Sequence, residues 1–334
     1  MASRTIQNLT LCGFLAVAML APGLIKAQHL TLEGQTGGFL TPTAYVVYTD
    51  KGHIFSHPAV GYHFVGTAKV IGDIQTVSIT EGFANRAEIG YTRSIHTLGD
   101  STDPTKGAFS NLWNFSGMNV FHGKVVGLKD GQYAPWVPGI AVGGVVRTND
   151  KFVSGAALQI AGAEVGESVP AKSYTNGDVY VAMTKTWLHP PFPFLANLGW
   201  KATNASIFGI GGQATRFGGR LFGGLGIPLP GPFGTAIVPS AGFTQQPRHV
   251  KNLGPFPPNG IPLVAGQADL PTTLDYAVRM TQREHPHFSF DIGVGQEANN
   301  IGAVPIISGG TVVGTLPVNL QARHVVGMGL SYRY

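Results

Sequence analysis

The stretch HPHFSFDIGVG carries His287, Ser289 and Asp291 at alternate positions, the side-chain types of a base, a nucleophile and an orienting carboxylate. Such a set is recognised by geometry and not by chain order. In an extended strand all three point to one side, and polar residues on one side of a strand are also what the wall of a water-facing barrel carries. The wall is the simpler reading. His53 with His57, and His285 with His287, are metal-ligand types, but no third ligand at a characteristic spacing follows either pair. GIGGQA (Gly209, Gly211, Ala214) and GVGQEA (Gly293, Gly295, Ala298) match a relaxed dinucleotide fingerprint. Neither opens a helix, the context that would make it a phosphate site. No catalytic set, metal or cofactor is therefore expected.

The elements that would position these residues alternate with a period of two. The closing stretch VVGMGLSYRY sets Val326, Met328, Leu330, Tyr332 and Tyr334 on one face, against Gly327, Gly329, Ser331 and Arg333 on the other. TLDYAVRMTQR sets Leu274, Tyr276, Val278 and Met280 against Asp275, Arg279, Thr281 and Arg283, and HFSFDIGVG sets Phe288, Phe290, Ile292 and Val294 against Ser289 and Asp291. NRAEIGYTRSIHT opposes Ile89 to Glu88, FLANLGWKAT opposes Leu198 and Trp200 to Asn197 and Lys201, and FGGRLFGGLGI aligns Phe217, Leu221, Leu225 and Ile227. Large apolar side chains outward and small or polar ones inward are what a transmembrane β-barrel requires, with lipid on one face and a lumen on the other. Further strands are expected over residues 58–70, 73–82, 114–127, 136–148, 151–162, 177–188 and 234–246. Residues 28–52, 99–111, 129–136, 251–271 and 299–317 lack alternation and are expected as connections or extensions.

Composition agrees. Charged residues are 12% of the chain and hydrophobic ones 43%, with 47 glycines, yet beyond the N-terminal stretch no apolar run reaches the ~20 residues of a membrane helix. The formal charge is +5, with Lys and Arg scattered, so the footprint of a nucleic-acid binder is missing. The N-terminus, with Arg4, an apolar run from Leu9 to Ile25 and then Lys26-Ala27, has the form of a secretory signal cleaved after Ala27. The single cysteine, Cys12, lies within it, leaving the mature chain without disulfides. The lean is bacterial.

The closing strand resembles the β-signal that bacterial outer-membrane barrels present to their assembly machinery. GQTGGFLTPTA, from Gly34 to Ala44, resembles the opening of YjbH-like outer-membrane proteins linked to exopolysaccharide, and residues 119–146 and 178–212 are similar to a family of outer-membrane proteins of unknown function. The resemblance implies location and architecture and supplies no catalytic residue.

The expectation is an all-β chain: a signal peptide (1–27), an N-terminal extension, periplasmic or lumenal (28–52), and a single antiparallel barrel of about twelve strands, within 10–14 (53–334). Glu88, Lys201, Asp275, Arg279, Arg283, Asp291 and Arg333 are expected to face the lumen. The function expected is a porin-like, non-enzymatic outer-membrane protein of a Gram-negative cell envelope, a channel or binder for a small solute or an envelope polysaccharide. Its partners would be outer-membrane lipid and the barrel assembly machinery. The alternatives are a barrel enzyme acting on lipid, with Ser289 as its test, and an exported soluble β-sandwich or adhesin.

Overall fold

The computed structural model describes residues 29–66, 73–97, 117–152, 158–160, 163–165, 172–188, 192–205, 217–246, 272–282, 287–297, 300–308, 311–319 and 323–334. Twelve long strands follow one another round a ring: β1 (Ala59–Gly66), β2 (Asp73–Phe83), β3 (Ala87–Thr97), β4 (Met118–Leu128), β5 (Gly139–Phe152), β6 (Lys172–Trp187), β7 (Phe194–Thr203), β8 (Gly218–Gly226), β9 (Thr235–Thr244), β10 (Thr273–Gln282), β11 (Phe288–Glu297) and β12 (Arg323–Arg333). Each pairs antiparallel with the next, and β12 pairs with β1 to close the sheet, from Ala59 opposite Arg333 to Gly66 opposite Val326. Closure excludes the sandwich alternative. It also leaves the ring of described strands without a first or last edge, so the backbone of the wall is paired strand to strand all the way round.

Alternation decides which side each residue takes. Val326, Met328, Leu330 and Tyr332 are exposed on the outer face, whereas Gly327, Gly329, Ser331 and Arg333 are buried inside. Leu274, Tyr276, Val278 and Met280 on β10, Ile89 on β3, and Leu198 and Trp200 on β7 follow the same rule. A contiguous apolar outer surface of this extent is stable against an apolar phase and not against water. Strands of 8 residues in β1 to 16 in β6 bracket the ~9–11 needed to cross a bilayer at a tilt.

The strand ends sort the connections. At the end where β1 begins and β12 finishes, the strands are joined through 3 to 10 residues, and at the other end through 14 or more, except between Gly66 and Asp73. In barrels of this type the short set faces the periplasm.

Two sequence expectations are corrected. Residues 136–148 and 151–162 are not two strands, because β5 runs unbroken from Gly139 to Phe152. The break in alternation is a register shift between Arg147 and Asp150, where Asn149 adopts a left-handed φ of 58°, so one strand bulges and continues. Residues 299–317 are not irregular, since Asn300–Ser308 pairs antiparallel with Thr311–Asn319 outside the ring. Pro305, Pro317 and two register shifts hide its period. Short pairs at Leu158–Ile160 with Ala163–Val165, and at Leu229–Pro230 against β9, complete the described sheet structure.

Candidate functional site

Residues 29–50 lie inside the ring. The segment has no run of one period, so no ladder can pair its backbone, and each N–H and C=O that leaves water must find another partner. It folds first on itself: Thr31 N donates to Gln35 O at 2.7 Å and Gly34 N to Thr31 O at 2.8 Å, with single bridges joining Leu30 to Thr36 and Gly37 to Pro42. The turn requires glycine at position 34. Its φ is +87°, and a Cβ there would stand 2.4 Å from Thr92 Oγ1 on the wall.

Further backbone groups go to side chains of the strands and of the β2–β3 turn. The amides of Leu30, Thr36, Ala44, Val47 and Thr49 donate to Ser331, Glu88, Thr184, Glu88 and Asn85. The carbonyls of Glu33, Gly34, Gly37, Pro42 and Tyr48 accept from Thr92, Thr80, Arg279, Asn197 and Arg333. At the short-connection end Gly82 lets the segment touch the wall, since a Cβ would meet Val47 O at 2.0 Å. The wall thus replaces water for these groups.

Three buried charge groups tie segment to strands. Arg147, fully buried on β5, reaches Glu33 Oε1 at 2.5 Å through Nε and Oε2 at 2.7 Å through Nη2, and Asp178 on β6 at 2.9 Å. Lys124 on β4 sits 3.0 Å from Glu88 Oε1 and donates to Thr36 O at 2.9 Å and Thr43 O at 3.0 Å, while Glu88 Oε2 accepts from Thr36 Oγ1 at 2.6 Å. His29 Nε2 meets Asp291 Oδ2 at 2.7 Å, and Arg279 holds the same carboxylate with two nitrogens at 3.0 and 3.1 Å. Breaking one partner of such a pair costs about 3–5 kcal/mol because the other charge stays buried and unpaired.

The lumen is therefore packed where the segment lies. Leu32 and Phe39 cluster with Val65, Ile74 and Ala277, and Ala44 and Val46 with Val126 and Ala141. A further apolar band, Met118, Val120, Val145, Tyr180, Ala182 and Phe222, runs along the inner wall. The expectation of small or polar residues inward needs this correction: the segment brings apolar partners that let inward apolar residues leave water. Space remains on one side. A cavity of about 120 Å³ lies between segment residues 36–45 and the inner faces of β7 to β10, lined by Leu188, Leu195 and Pro228 toward the short-connection end and by Gly242, Asp275 and Arg279 farther in. Gly224, Gly226 and Gly242 give that wall its inward hollow.

Of the residues named from sequence, Glu88 and Asp291 are buried in the pairs above, Arg279 joins Asp291, and Lys201 lies 3.9 Å from Asp178. Arg333 donates to Tyr48 O and lies 3.9 Å from Asp50. Asp275 points inward and lines the cavity. Arg283, the expected signal at 1–27, His285 and GIGGQA fall outside the described residues. The apparent triad is reassigned: His287 Nδ1 meets Arg333 O at 2.8 Å, and the imidazole between Ser289 (3.1 Å) and Asp291 is His29. Ser289 is only 1% exposed and Asp291 is already held by Arg279, so the trio fastens the segment and offers no nucleophile to a substrate. Sequence reasoning missed His29, Glu33, Lys124, Arg147 and Asp178. The last three share the inward parity of their strands and could have been found by it. Among the described residues no group of three or more His, Cys, Asp or Glu is placed to hold a metal.

No family model matches the chain, and no curated protein does. Solved structures with a similar course include the NanC porin, at 9% identity and a TM-score of 0.43, covering 82% of this chain and 100% of that one. The KdgM porin in complex with disordered oligogalacturonate is 8% identical, with a TM-score of 0.40 over 83% of this chain and 99% of that one. The beta domain of the Bordetella autotransporter BrkA is 10% identical, with a TM-score of 0.39 over 84% and 100%. Likeness this distant carries no ligand or role from those proteins to this chain.

Proposed function

We propose that the chain is a Gram-negative outer-membrane β-barrel channel whose lumen is closed by its own N-terminal segment, with a small solute as cargo. The observation that carries this is the cavity of about 120 Å³ left between that segment and β7 to β10. Apolar pockets of about 150 Å³ hold a benzene, so the space suits a small solute better than a polysaccharide chain. Supporting the location are the predominantly apolar outer face and the sorting of most short and long connections, together with the signal-like N-terminus. The exposed row Val326, Met328, Leu330, Tyr332 and Tyr334 on β12 is what the barrel assembly machinery would read.

The interior argues against a lipid hydrolase. Ser289 is sealed under His29, and a Ser289→Ala protein should lose no hydrolytic activity that the wild type has. The test of the main reading is single-channel recording of the refolded protein in a planar bilayer. Brief, small openings separated by long closures are expected. A large, permanently open conductance would contradict the closed lumen, and complete silence under all voltages would contradict a channel.

A further inference from the structure

The cavity has a chemical bias that the packing does not use. Asp275 on β10 is 6% exposed, lines the cavity, and has one carboxylate oxygen, Oδ1, buried with no hydrogen-bond partner among the described residues. Its cross-strand neighbours are Gly242 on β9 and Gly295 on β11. A Cβ on Gly242 would stand 2.6 Å from Oδ1, so only glycine leaves the carboxylate that space. A buried carboxylate without a partner is costly unless something pairs with it.

Among the described residues, the surrounding groups leave that charge uncompensated. Arg279 spends Nε and Nη2 on Asp291 and Nη2 also on Gly37 O. His29 satisfies both nitrogens in its neutral form, with Nε2–H donating to Asp291 and Nδ1 accepting from Ser289 or Ser331. Arg279, His29 and Asp291 therefore sum to no charge, and Asp275 remains. Other lining oxygens are acceptors too, because Ser240 donates its proton to Ala277 O and Thr281 to Phe288 O. Lone pairs are left for a ligand.

We infer that this cavity is a binding site for a small organic cation, an alkylammonium or guanidinium, whose N–H groups are received by the Asp275 carboxylate. The inference rests on the channel reading for its biological sense but not for its existence. The test uses the full-length protein in lipid nanodiscs with methylammonium as probe, followed by saturation-transfer NMR, with acetate as the opposite charge. Saturable methylammonium binding is expected, weakened by about ten- to a hundredfold in Asp275→Asn through loss of one charge-assisted bond. Glu81→Gln, an exposed change on β2, should leave it unaltered. Gly242→Ser, which crowds the same carboxylate, provides a second variant should Asp275→Asn fail to fold, and is expected to weaken binding likewise. Absence of saturable methylammonium binding to the wild type, preference for acetate, or binding unchanged in the folded variants would each overturn the site. Binding with no conductance would keep the site and overturn the channel.

Discussion

Replacing Glu88 by alanine should release the N-terminal segment. The carboxylate accepts Thr36 N at 3.0 Å, Thr36 Oγ1 at 2.6 Å, Val47 N at 3.1 Å and Lys124 Nζ at 3.0 Å, and both charged side chains are fully buried. Its loss strands an ammonium in the packed lumen, a penalty of about 3–5 kcal/mol. That penalty falls on the closed form alone, because Lys124 regains water once the segment leaves. The open population should then rise by about a hundred- to a few-thousandfold. Single-channel recording reads this directly as open time. In Glu88→Gln/Lys124→Met neither charge remains, so most of the closure should return. Heat-modifiable electrophoretic mobility establishes that each barrel has folded. A folded Glu88→Ala protein as closed as the wild type, or a double variant as open as the single one, would refute the reasoning.

Val278→Arg places a charge on the outer face of β10 and should cost about 2–4 kcal/mol of folding into lipid, whereas Tyr133→Arg, on an exposed short connection, should cost little; equal losses in denaturant titrations in lipid would mean the outer face does not meet lipid. Val60 and Tyr332 are direct partners across the closing seam, so Val60→Cys with Tyr332→Cys should crosslink readily in a chain whose one native cysteine, Cys12, is replaced by serine. Failure there, with both thiols reactive, would mean that β12 does not close the ring. Deleting Tyr334 should slow assembly into membranes, measured as the fraction recovered in heat-modifiable form, and unchanged recovery would remove the terminal strand from the assembly signal.

The wall was legible because an apolar outside and a small or polar inside impose a two-residue period on its strands. Where the period fails there is a local physical reason, the left-handed Asn149 at the β5 bulge or the prolines of the 300–319 hairpin. The lumen was legible only as parity. Asp275, Arg279 and Asp291 face inward by alternation, but nothing in their spacing tells that Arg279 and Asp291 meet each other and His29. The segment itself has no period, and its partners are far off in the chain: Glu33 meets Arg147 and Ala44 meets Thr184. What the sequence does carry is a stretch of Thr, Gly and Gln from His29 to Thr43 with Glu33 as its only charged side chain, well suited to hydrogen-bonding a polar wall. Inward polar side chains can face water or a buried backbone equally, and only the fold tells which.

The occupied lumen is the centre of this account, and a removable lock tests it most directly. Ala44 N lies 2.8 Å from Thr184 Oγ1, so cysteines at 44 and 184 can be joined by oxidation or a short bifunctional thiol reagent. In the Glu88→Ala background, single-channel recordings should find the joined protein closed and the same protein open once reduced, reversibly and without change in folded mobility. Equal conductance in the joined and reduced states would contradict closure by the N-terminal segment, and failure of the two cysteines to join in the wild-type background would contradict its place in the lumen.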